Sequence, residues 1–385
     1  MNENTFLFII NIFILVLCGV VFAIIPYLIR KSYLFGVKIP MEEWGCAQAA
    51  NMRKNYIVTT LLGTFVAMAI AIGQYIMWPE FTIYAAIYLP LLIVIVYFIA
   101  FIPNWKRAVW LKADKGWKVS SVLFADTVSS DARGRLSNLP WFWYIIGFAI
   151  ILVTVVISIM QYPSLPPEIP VHWGFDMQPT RFEETTMVSV LQLPGVNFLM
   201  LVIFVMTAIG IEKTKLQIDP SNPTLSFAQH RVYRKRMGHA FGVLTVLLIL
   251  VIGVVGLRMV LPEMPFWNVI FVISMILSVS VAPLFIIVVQ IKTGQGGCKV
   301  KIALDDSDES AEMTIAKPKI AGRGDDKFWK LGMFYYNPND PGILIEDRFG
   351  TGVGFNYARL PVKIFSAILI IGLLAMYVWL TITIV

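Results

Sequence analysis

The 385-residue chain has few charged residues, few cysteines and few histidines. Charged residues make up 14% of it against 58% hydrophobic residues, and the mean hydropathy is +0.74. This balance excludes an ordinary water-soluble globular protein. The three cysteines include no Cys-x-x-Cys pair, so the sequence supports neither a disulfide-rich secreted domain nor a structural zinc site.

Long uncharged apolar runs, in contrast, recur eight times. Each is long enough to cross a bilayer and lacks Asp, Glu, Lys, Arg and His. The first run is longer than a signal-peptide core and follows "MNENT", which has no basic residue, so it predicts a retained helix. The sequence predicts an all-α polytopic membrane protein with about eight transmembrane helices and a small α+β cytosolic segment. The runs are Phe6–Ile29, Tyr56–Met77, Phe81–Ile102, Trp141–Met160, Met187–Ile211, Ala240–Leu257, Trp267–Ile291 and Ile364–Val385.

Lys and Arg are concentrated in alternate connections between these runs. All but Arg181 and Arg258 of the 31 basic residues fall in four segments, which are residues 30–55, 104–140, 212–239 and 292–363. By the positive-inside rule these segments face the cytosol, which places both termini outside. We expect this charge to contact membrane lipids. It does not indicate nucleic-acid binding, because it is spread over short loops beside an anionic leaflet.

The spacing of the runs suggests two halves with one plan. In each half a span leads into a basic loop containing proline, and a Pro-Glu turn follows on the other side. This layout predicts a parallel 4+4 repeat, although any eight-span protein that obeys the positive-inside rule looks somewhat periodic. The predicted units are a first four-helix membrane half (1–161), an extracellular proline-rich loop (162–186), a second membrane half of three helices (187–291), a small cytosolic α+β domain (292–361) and a final transmembrane helix (362–385).

Two polar pieces lie between the spans. Residues 105–117, "WKRAVWLKADKGW", predict a helix lying on the membrane surface, with tryptophans at headgroup depth. Further along, "CKVKIAL", "GILIEDRF" and "GVGFNYA" have the alternation and β-branched or aromatic content of short strands. We expect these to form a cap on the membrane domain, because about seventy residues have little core of their own.

The stretch "SLPPEIPVHWGFDMQPTRF" (164–182) resembles the short outer motif of a bacterial membrane-protein family of unknown function. That motif has the form Leu-Pro-x-x-Ile-Pro-x-His, then a Gly and an Asp, and it is often found with SdpI-like immunity proteins. The resemblance implies the bacterial cytoplasmic membrane and a binding role for the loop. The residues that match the motif are Leu165, Pro166, Ile169, Pro170, His172 and, more loosely, Gly174 and Asp176. The candidate binding residues are Pro166, Ile169, Pro170, His172, Trp173, Gly174 and Asp176.

Two further stretches resemble other parts of such proteins. "LQIDPSNPTLSFAQHRVYRKR" is similar to an inner-loop signature, and "DDKFWKLGMFYYNPNDPGILIEDRFGTGVGFNYARL" is similar to a second uncharacterised domain. The SdpI-like core is echoed only at Gly36, Lys38 and Pro40, so an immunity role is implied less directly. The cytosolic candidate residues are Asp219, Pro220, Arg234, Arg236, Phe328, Trp329, Gly332, Tyr335, Asn337, Pro338, Asp340, Arg348 and Gly350.

His172 is the one histidine on the predicted outer side. Its spacing to Asp176 would suit a helix, but Pro170 and Gly174 argue against a helix there. One imidazole with scattered carboxylates is a weak metal or acid–base constellation, and no nucleophile set can be assembled on one side of the membrane. We expect no metal, no cofactor and no enzymatic activity.

Three functions remain open at this point. The favoured one is a receptor-like, immunity or envelope-stress protein that recognises an extracellular peptide or a membrane partner protein through the outer loop. The second is a transporter or transporter accessory subunit, since Pro90 and Pro283 interrupt the third and seventh spans. The third is a membrane-embedded enzyme, which would depend on His172.

Overall fold

The computed structural model describes residues 3–117, 139–174, 177–214, 222–261, 266–302, 323–350 and 352–384. Within them, seven helical stretches are long and apolar enough to cross a membrane. The prediction of an all-α polytopic membrane protein is confirmed. The helices are α1 (Glu3–Leu28), α2 (Ala47–Met77), α3 (Thr82–Asp114), α4 (Trp141–Gln161), α5 (Met187–Lys213), α6 (Pro223–Val260), α7 (Trp267–Ile276), α8 (Ala282–Thr293) and α9 (Leu360–Ile384).

Helices α1, α2 and α3 pack on one another as a first bundle. Small residues allow the close approach: a Cβ on Gly63 would meet Val96 of α3, and Gly19 of α1 lies against Thr64. The Thr64 hydroxyl finds its hydrogen-bond partner within α2, since it donates to the Thr60 carbonyl at 2.8 Å. Small residues at helix contacts and polar groups satisfied inside the helix are what a lipid environment requires.

Helices α4 to α8 form a second bundle around α6. Gly242 of α6 gives room to Trp143 of α4, since a Cβ there would lie 2.6 Å from the Trp143 Cβ. Across the same bundle, the Asn197 amide of α5 donates to the Ile249 carbonyl at 3.1 Å. The packing therefore groups α4 with α5 and α6. The division of the chain into units, with residues 1–161 as a first half, stays a prediction.

The seventh span is interrupted near its centre. A π-helical turn, Leu277–Val281, joins α7 to α8 and precedes Pro283. The Ser278 hydroxyl in this turn donates to the Leu247 carbonyl of α6 at 2.8 Å and also lies 2.9 Å from the Ser274 carbonyl. Proline has no N–H for the helical ladder, so the backbone loosens in the preceding turn. The irregularity expected from Pro283 is thus present as a π turn.

The described residues contain four antiparallel hairpins. The prediction of strands in "GILIEDRF" and "GVGFNYA" is confirmed by the strands Leu344–Glu346 and Val353–Phe355. The strands are β1 (Tyr33–Leu34) with β2 (Val37–Lys38), β3 (Glu168–Trp173) with β4 (Pro179–Glu184), β5 (Trp329–Lys330) with β6 (Phe334–Tyr335), and β7 (Leu344–Glu346) with β8 (Val353–Phe355).

Two local predictions are wrong. The described part of "CKVKIAL", residues 298–302, is a turn and extended chain without a strand. Residues 105–114 continue α3 instead of forming a separate surface helix. The Asn104 amide donates to the Ala100 carbonyl at 2.8 Å, so the polar residue at the end of the apolar run is accommodated within the helix and does not break it.

Candidate functional site

The stretch predicted to be a proline-rich loop folds as a β-hairpin. Gly174 and Met177 close the turn: the Gly174 N–H donates to the Gln178 carbonyl at 2.8 Å, and the Met177 N–H donates to the Gly174 carbonyl at 2.9 Å. The pairing shifts register on both sides of His172. The hairpin then leads directly into α5, where Thr186 and Ser189 form a reciprocal capping box.

One face of the hairpin is anchored on α6. Ile169 is fully buried in an apolar cluster with Met259 and Val260 from the end of that helix. The Arg258 guanidinium lies 4.8 Å from the centre of the Trp173 ring, and its Nη2 donates to the Met177 carbonyl at 2.7 Å. A cation over an indole face is attractive. The hairpin is therefore held to the end of α6 by apolar burial, a cation–π contact and a hydrogen bond.

The predicted binding residues of this stretch differ in exposure. Pro166 and His172 are exposed, while Pro170, Trp173 and Gly174 are partly buried. The His172 Nδ1 lies 2.6 Å from the Thr180 hydroxyl on β4, so the imidazole is paired across the hairpin. Asp176 lies outside the described residues.

At the opposite end of the bundles, two tight turns meet. Gly36 joins β1 to β2 and Gly332 joins β5 to β6, with φ of +78° and +75°. Each follows a residue that is also in the left-handed region, Phe35 (+47°) and Leu331 (+54°), as a two-residue type I′ turn requires. A Cβ on Gly36 would lie only 2.7 Å from the Gly332 carbonyl carbon. The contact joins the α1–α2 connection to the C-terminal segment, by which we mean the described residues between 323 and 359.

Arg348 fixes this junction from the β7–β8 loop. It is fully buried, donates to the Gly36 carbonyl at 3.0 Å and forms an ion pair with Asp326. Its guanidinium also lies 4.8 Å from the Trp329 ring centre and 5.2 Å from that of Tyr33. These contacts compensate the buried charge and the Nη donors, while the Nε–H has no hydrogen-bond partner among the described residues. Arg348 therefore has an architectural role.

The neighbouring loop, residues 337–342, is held by a buried polar network. Arg323 binds both carboxylate oxygens of Asp340, and the Tyr335 hydroxyl lies 3.1 Å from the same carboxylate. Burial opposes ionisation of Asp340, but the Arg323 guanidinium and the Gly342 N–H outweigh it and lower the pKa of that carboxyl. Asn337 and Asn356 complete the network through backbone groups. The structure thus brings Trp329, Tyr335, Asn337, Asp340 and Arg348 together, with Gly332 beside them at the turn.

Phe349, next to Arg348, enters the end of the first bundle. Its ring centre lies 4.6 Å from that of Phe101, 5.5 Å from Phe35 and 5.7 Å from Tyr56. These rings belong to one buried apolar cluster that extends into α2 and α3. The C-terminal segment is therefore built into the membrane domain, as the small size of its own core led us to expect.

A second junction joins both bundles to the C-terminal segment. Arg30, after α1, forms an ion pair with Glu346 of β7, and its Nη2 lies 2.7 Å from the His230 Nε2 of α6. The His230 Nδ1 lies 2.7 Å from the Ser226 carbonyl and donates to it, and the Nε2 also lies 3.4 Å from the Glu346 Oε1. We call Arg30, His230 and Glu346 the junction triad.

The triad is covered by the backbone of the loop after α8. A Cβ on Gly296 would lie 2.8 Å from the His230 Nε2 and 2.9 Å from the Glu346 Oε1. The Arg30 N–H donates to the Gln295 side-chain oxygen at 3.2 Å. Burial lowers the pKa of Arg30, but the adjacent Glu346 carboxylate outweighs it and raises the pKa above its ordinary value. Arg30 is therefore a permanent cation in this cluster.

Asp347 lies beside the triad and is the most perturbed acid of the C-terminal segment. Burial, and next the neighbouring Glu346 carboxylate, raise the pKa of Asp347 to about 7. Its backbone carbonyl accepts from the Gln295 amide. Because a carboxyl with this pKa gains or loses a proton near neutrality, the junction contains a group that titrates in the physiological range.

The remaining predicted residues have simpler placements. Arg234 donates to the Glu212 carbonyl at 2.6 Å and to the Thr214 carbonyl, so it caps the end of α5. Arg236 and Pro338 are exposed, Phe328 is partly buried beside Tyr335, and Gly350 has φ of +137°. Asp219 and Pro220 lie outside the described residues.

Sequence reasoning missed the junction triad, Asp347 and Arg258. Arg30 and His230 are 200 positions apart, and Arg30 was counted only among the basic residues that set topology. Glu346 had one available signal, since it directly follows the apolar Ile343, Leu344 and Ile345 in "GILIEDRF". In the part of the chain that the structure describes, no group of three His, Cys, Asp or Glu could hold a metal ion.

Helix α6 connects the two candidate regions. It is 38 residues long, with His230 of the triad near its start and Arg258 of the hairpin anchor near its end. At 1.5 Å per residue, these two side chains are separated by about 42 Å along the helix. The hairpin and the C-terminal segment therefore lie at opposite ends of the bundles and share one continuous element.

These features define a multi-pass membrane protein with a small hairpin at one end and a docked C-terminal segment at the other. A family model described as "Domain of unknown function (DUF1648)" matches residues 149–198, which run from α4 through the β3–β4 hairpin into α5. No curated protein matches the chain, and no solved structure does. The match is in accord with the resemblance of residues 164–182 to a family of unknown function, and the likeness to SdpI-like proteins stays a prediction.

Proposed function

We propose that the protein is a non-enzymatic, receptor-like protein of the bacterial cytoplasmic membrane, with an immunity or envelope-stress role. In this proposal both termini and the β3–β4 hairpin lie outside, and the C-terminal segment lies in the cytosol, in accord with the distribution of Lys and Arg. The hairpin binds a peptide or another envelope ligand. Occupancy of the hairpin shifts α6 and thereby changes the junction triad.

The observation that carries the proposal is the placement of Arg258 and His230 on one helix. Arg258 contacts the hairpin at Trp173 and Met177, and His230 contacts Arg30 in a triad that includes the C-terminal segment. A ligand that moves the hairpin acts on the end of α6. A rigid helix transmits a small displacement over its length, and a buried hydrogen-bonded triad has few alternative arrangements to absorb it.

The first experiment is genetic. A strain that lacks the gene is exposed to a panel of envelope-active peptides, and it is complemented with the parent chain or with a chain that lacks residues 165–182. The shortened chain is expected to reach the membrane fraction but to give no protection. Unchanged sensitivity of the full deletion strain to every peptide of the panel overturns the proposal.

The second experiment separates ligand binding from transmission. Arg258→Gln loosens the hairpin anchor and is expected to weaken binding of a peptide that the first experiment identifies. His230→Gln leaves the hairpin intact, so it is expected to bind the peptide normally and to lose protection. Arg107→Gln, an exposed arginine of α3, is the matched control. Equal protection by the His230→Gln chain and the parent contradicts transmission through the triad.

A transporter or accessory subunit is the second candidate, favoured by the π turn in the seventh span. Such turns are frequent at functional sites. Ser278 within this turn and Ser274 just before it are both buried. Single cysteines along α3, α7 and α8 test it with a water-soluble thiol reagent. Labelling in a continuous stripe supports a water-filled path, and uniformly sealed positions reject it.

We propose no catalytic role for His172. Its imidazole is exposed and paired with Thr180 across the hairpin, which accounts for the residue by structure alone. A His172→Ala chain is expected to retain protection. Loss of protection by a correctly inserted His172→Ala chain would instead favour a membrane-embedded enzyme.

A further inference from the structure

We propose that the outer edge of β4 is the place where the ligand binds, and that the ligand is an extended, positively charged peptide that adds to the hairpin as a third strand. This inference rests on the proposed receptor function and specifies the ligand class and the binding mode. The observations that carry it are the hydrogen-bonding pattern of the hairpin, the exposure of β4 and an unrelieved pair of carboxylates.

The hydrogen-bonding pattern of the hairpin leaves some backbone N–H and C=O groups of β4 pointing away from β3. The Thr185 N–H donates to the Pro167 carbonyl at 2.8 Å, which makes this an inward-facing pair. In antiparallel strands such pairs alternate with pairs whose N–H and C=O groups point away from the partner. Phe182 and Glu184 fall at outward-facing positions, opposite Pro170 and Glu168.

Two contacts are consistent with this assignment. Pro170 is opposite Phe182, and a proline inside a strand is tolerated where the missing N–H would have pointed away from the paired strand. The Ser189 hydroxyl donates to the Glu184 carbonyl at 2.9 Å, so that carbonyl points outward as expected. The groups that a third strand would meet are therefore the Phe182 N–H and C=O and the Glu184 N–H.

The edge is accessible over most of its length. Of the six β4 residues, the exposed ones are Thr180, Arg181, Phe182 and Glu184, and the Phe182 side chain is 52% exposed. Strand β3, on the other side of the hairpin, packs against α6. Open sheet edges are templates for strand addition, in which backbone hydrogen bonds supply affinity and side chains supply specificity.

Charge at the hairpin selects the partner. Glu168 and Glu184 are directly opposite one another, both are exposed, and neither forms an ion pair with another described residue. Like charges at opposed positions destabilise a hairpin. The one cation of the hairpin strands, Arg181, pairs with Glu183 at 3.3 Å. A lysine or arginine from an added strand would relieve the repulsion between Glu168 and Glu184.

The test uses the full chain in nanodiscs of zwitterionic phosphatidylcholine, so that a cationic peptide does not bind the lipid itself. The probe is a fluorescent octapeptide of alternating Lys and Val, and fluorescence anisotropy measures its binding. The control peptides are the same sequence methylated at every backbone nitrogen and an alternating Glu–Val octapeptide. Only the unmethylated Lys–Val peptide is expected to bind, and amide exchange is expected to slow at residues 182 and 184 but not at 181 and 183.

Two substitutions at one position separate backbone from side-chain contributions. Phe182→Pro removes the outward N–H without touching a bond between β3 and β4, and is expected to weaken binding about tenfold, as loss of one hydrogen bond implies. Phe182→Ala keeps the N–H and is the matched control, with a smaller loss. The double variant that carries Glu168→Gln and Glu184→Gln is expected to bind the Lys–Val peptide more weakly, and its affinity is expected to depend less on salt concentration.

Equal binding of the methylated and unmethylated peptides, or equal affinity of Phe182→Pro and the parent, overturns the strand-addition inference. Both outcomes leave the receptor proposal standing if deletion of residues 165–182 still abolishes protection. Conversely, the nanodisc experiments can confirm strand addition while the deletion strain shows unchanged sensitivity to every peptide. That combination rejects the receptor role and retains the binding mode. The two proposals therefore fail separately.

Discussion

Gly36 and Gly332 lie back to back, each at the second position of a tight turn with a positive φ. A Cβ on Gly36 would lie 2.9 Å from the Gly332 Cα, and one on Gly332 would lie 2.8 Å from the Phe35 carbonyl oxygen. The connection between the first two helices and the C-terminal segment therefore meet backbone against backbone. Glycine is required at both positions by the close approach as well as by the left-handed conformation.

Replacing Gly36 by alanine is expected to detach the two turns. The new methyl group meets the Gly332 backbone, which cannot move without distorting its own turn, and an alanine at this φ is strained as well. We expect a loss of about 1–3 kcal/mol in the free energy of unfolding, measured by thermal unfolding in detergent. Gly45→Ala is the control, since a Cβ there meets nothing within 4 Å. Equal stability of both variants would contradict the contact.

The sequence predicted the membrane-spanning helices well, because a long uncharged run has few other stable conformations. It did not predict the turn at Gly36. The stretches "LFGV" and "KLGM" lack the Asn-Gly or Asp-Gly signature of a type I′ turn. Phe35 accepts a positive φ because the surrounding packing holds it there, as its ring contacts Phe101 and Phe349. Such positions are decided by tertiary contacts.

Phe349→Ala is expected to loosen the C-terminal segment from the first bundle. The Phe349 ring is buried among Phe35, Tyr56 and Phe101, and its removal leaves a cavity that these rings fill only in part. We expect a loss of about 3–5 kcal/mol in the free energy of unfolding, together with faster proteolysis of the C-terminal segment. The control is Phe198→Ala, because Phe198 is 51% exposed on the outside of α5. Comparable losses in the two variants would argue against this role.

The candidate site could be predicted only in part, and the reason is the distance along the chain. Trp329, Tyr335, Asn337 and Asp340 lie within a dozen residues, so a resemblance to one short domain was enough to mark them. The junction triad joins positions 30, 230 and 346. A basic residue near a helix end looks the same in the sequence whether it sets topology or pairs with a buried acid, so the pairing becomes visible only in the fold.

Glu346→Gln is expected to disrupt the junction triad. The substitution leaves Arg30 and its fixed positive charge buried without the carboxylate that compensates it. Removing one partner of a buried ion pair costs about 3–5 kcal/mol, which we expect to see in the free energy of unfolding. Glu42→Gln, at an exposed carboxylate of the connection between α1 and α2, is the control. If Glu346→Gln is as stable as Glu42→Gln, the Arg30–Glu346 pair is not a structural requirement.

Asp347 makes stability depend on pH in the direction opposite to most acids. Its pKa is about 7 in the folded protein against an ordinary value of 3.8, because burial and the Glu346 charge disfavour the carboxylate. Between these two pH values the folded protein retains a proton that the unfolded chain has released. Stability from this group is therefore present at low pH and is lost as the pH rises toward 7.

The difference between Asp347→Asn and the parent isolates this effect. Asparagine cannot ionise, so the variant is expected to gain stability relative to the parent as the pH rises from 5 to 8, measured by thermal unfolding at each pH. Asp114→Asn, at an exposed position at the end of α3, is the control for loss of a carboxylate as such. If the difference shrinks with rising pH or stays constant, then Asp347 does not carry its proton into the neutral range. The junction would in that case be insensitive to pH through this group.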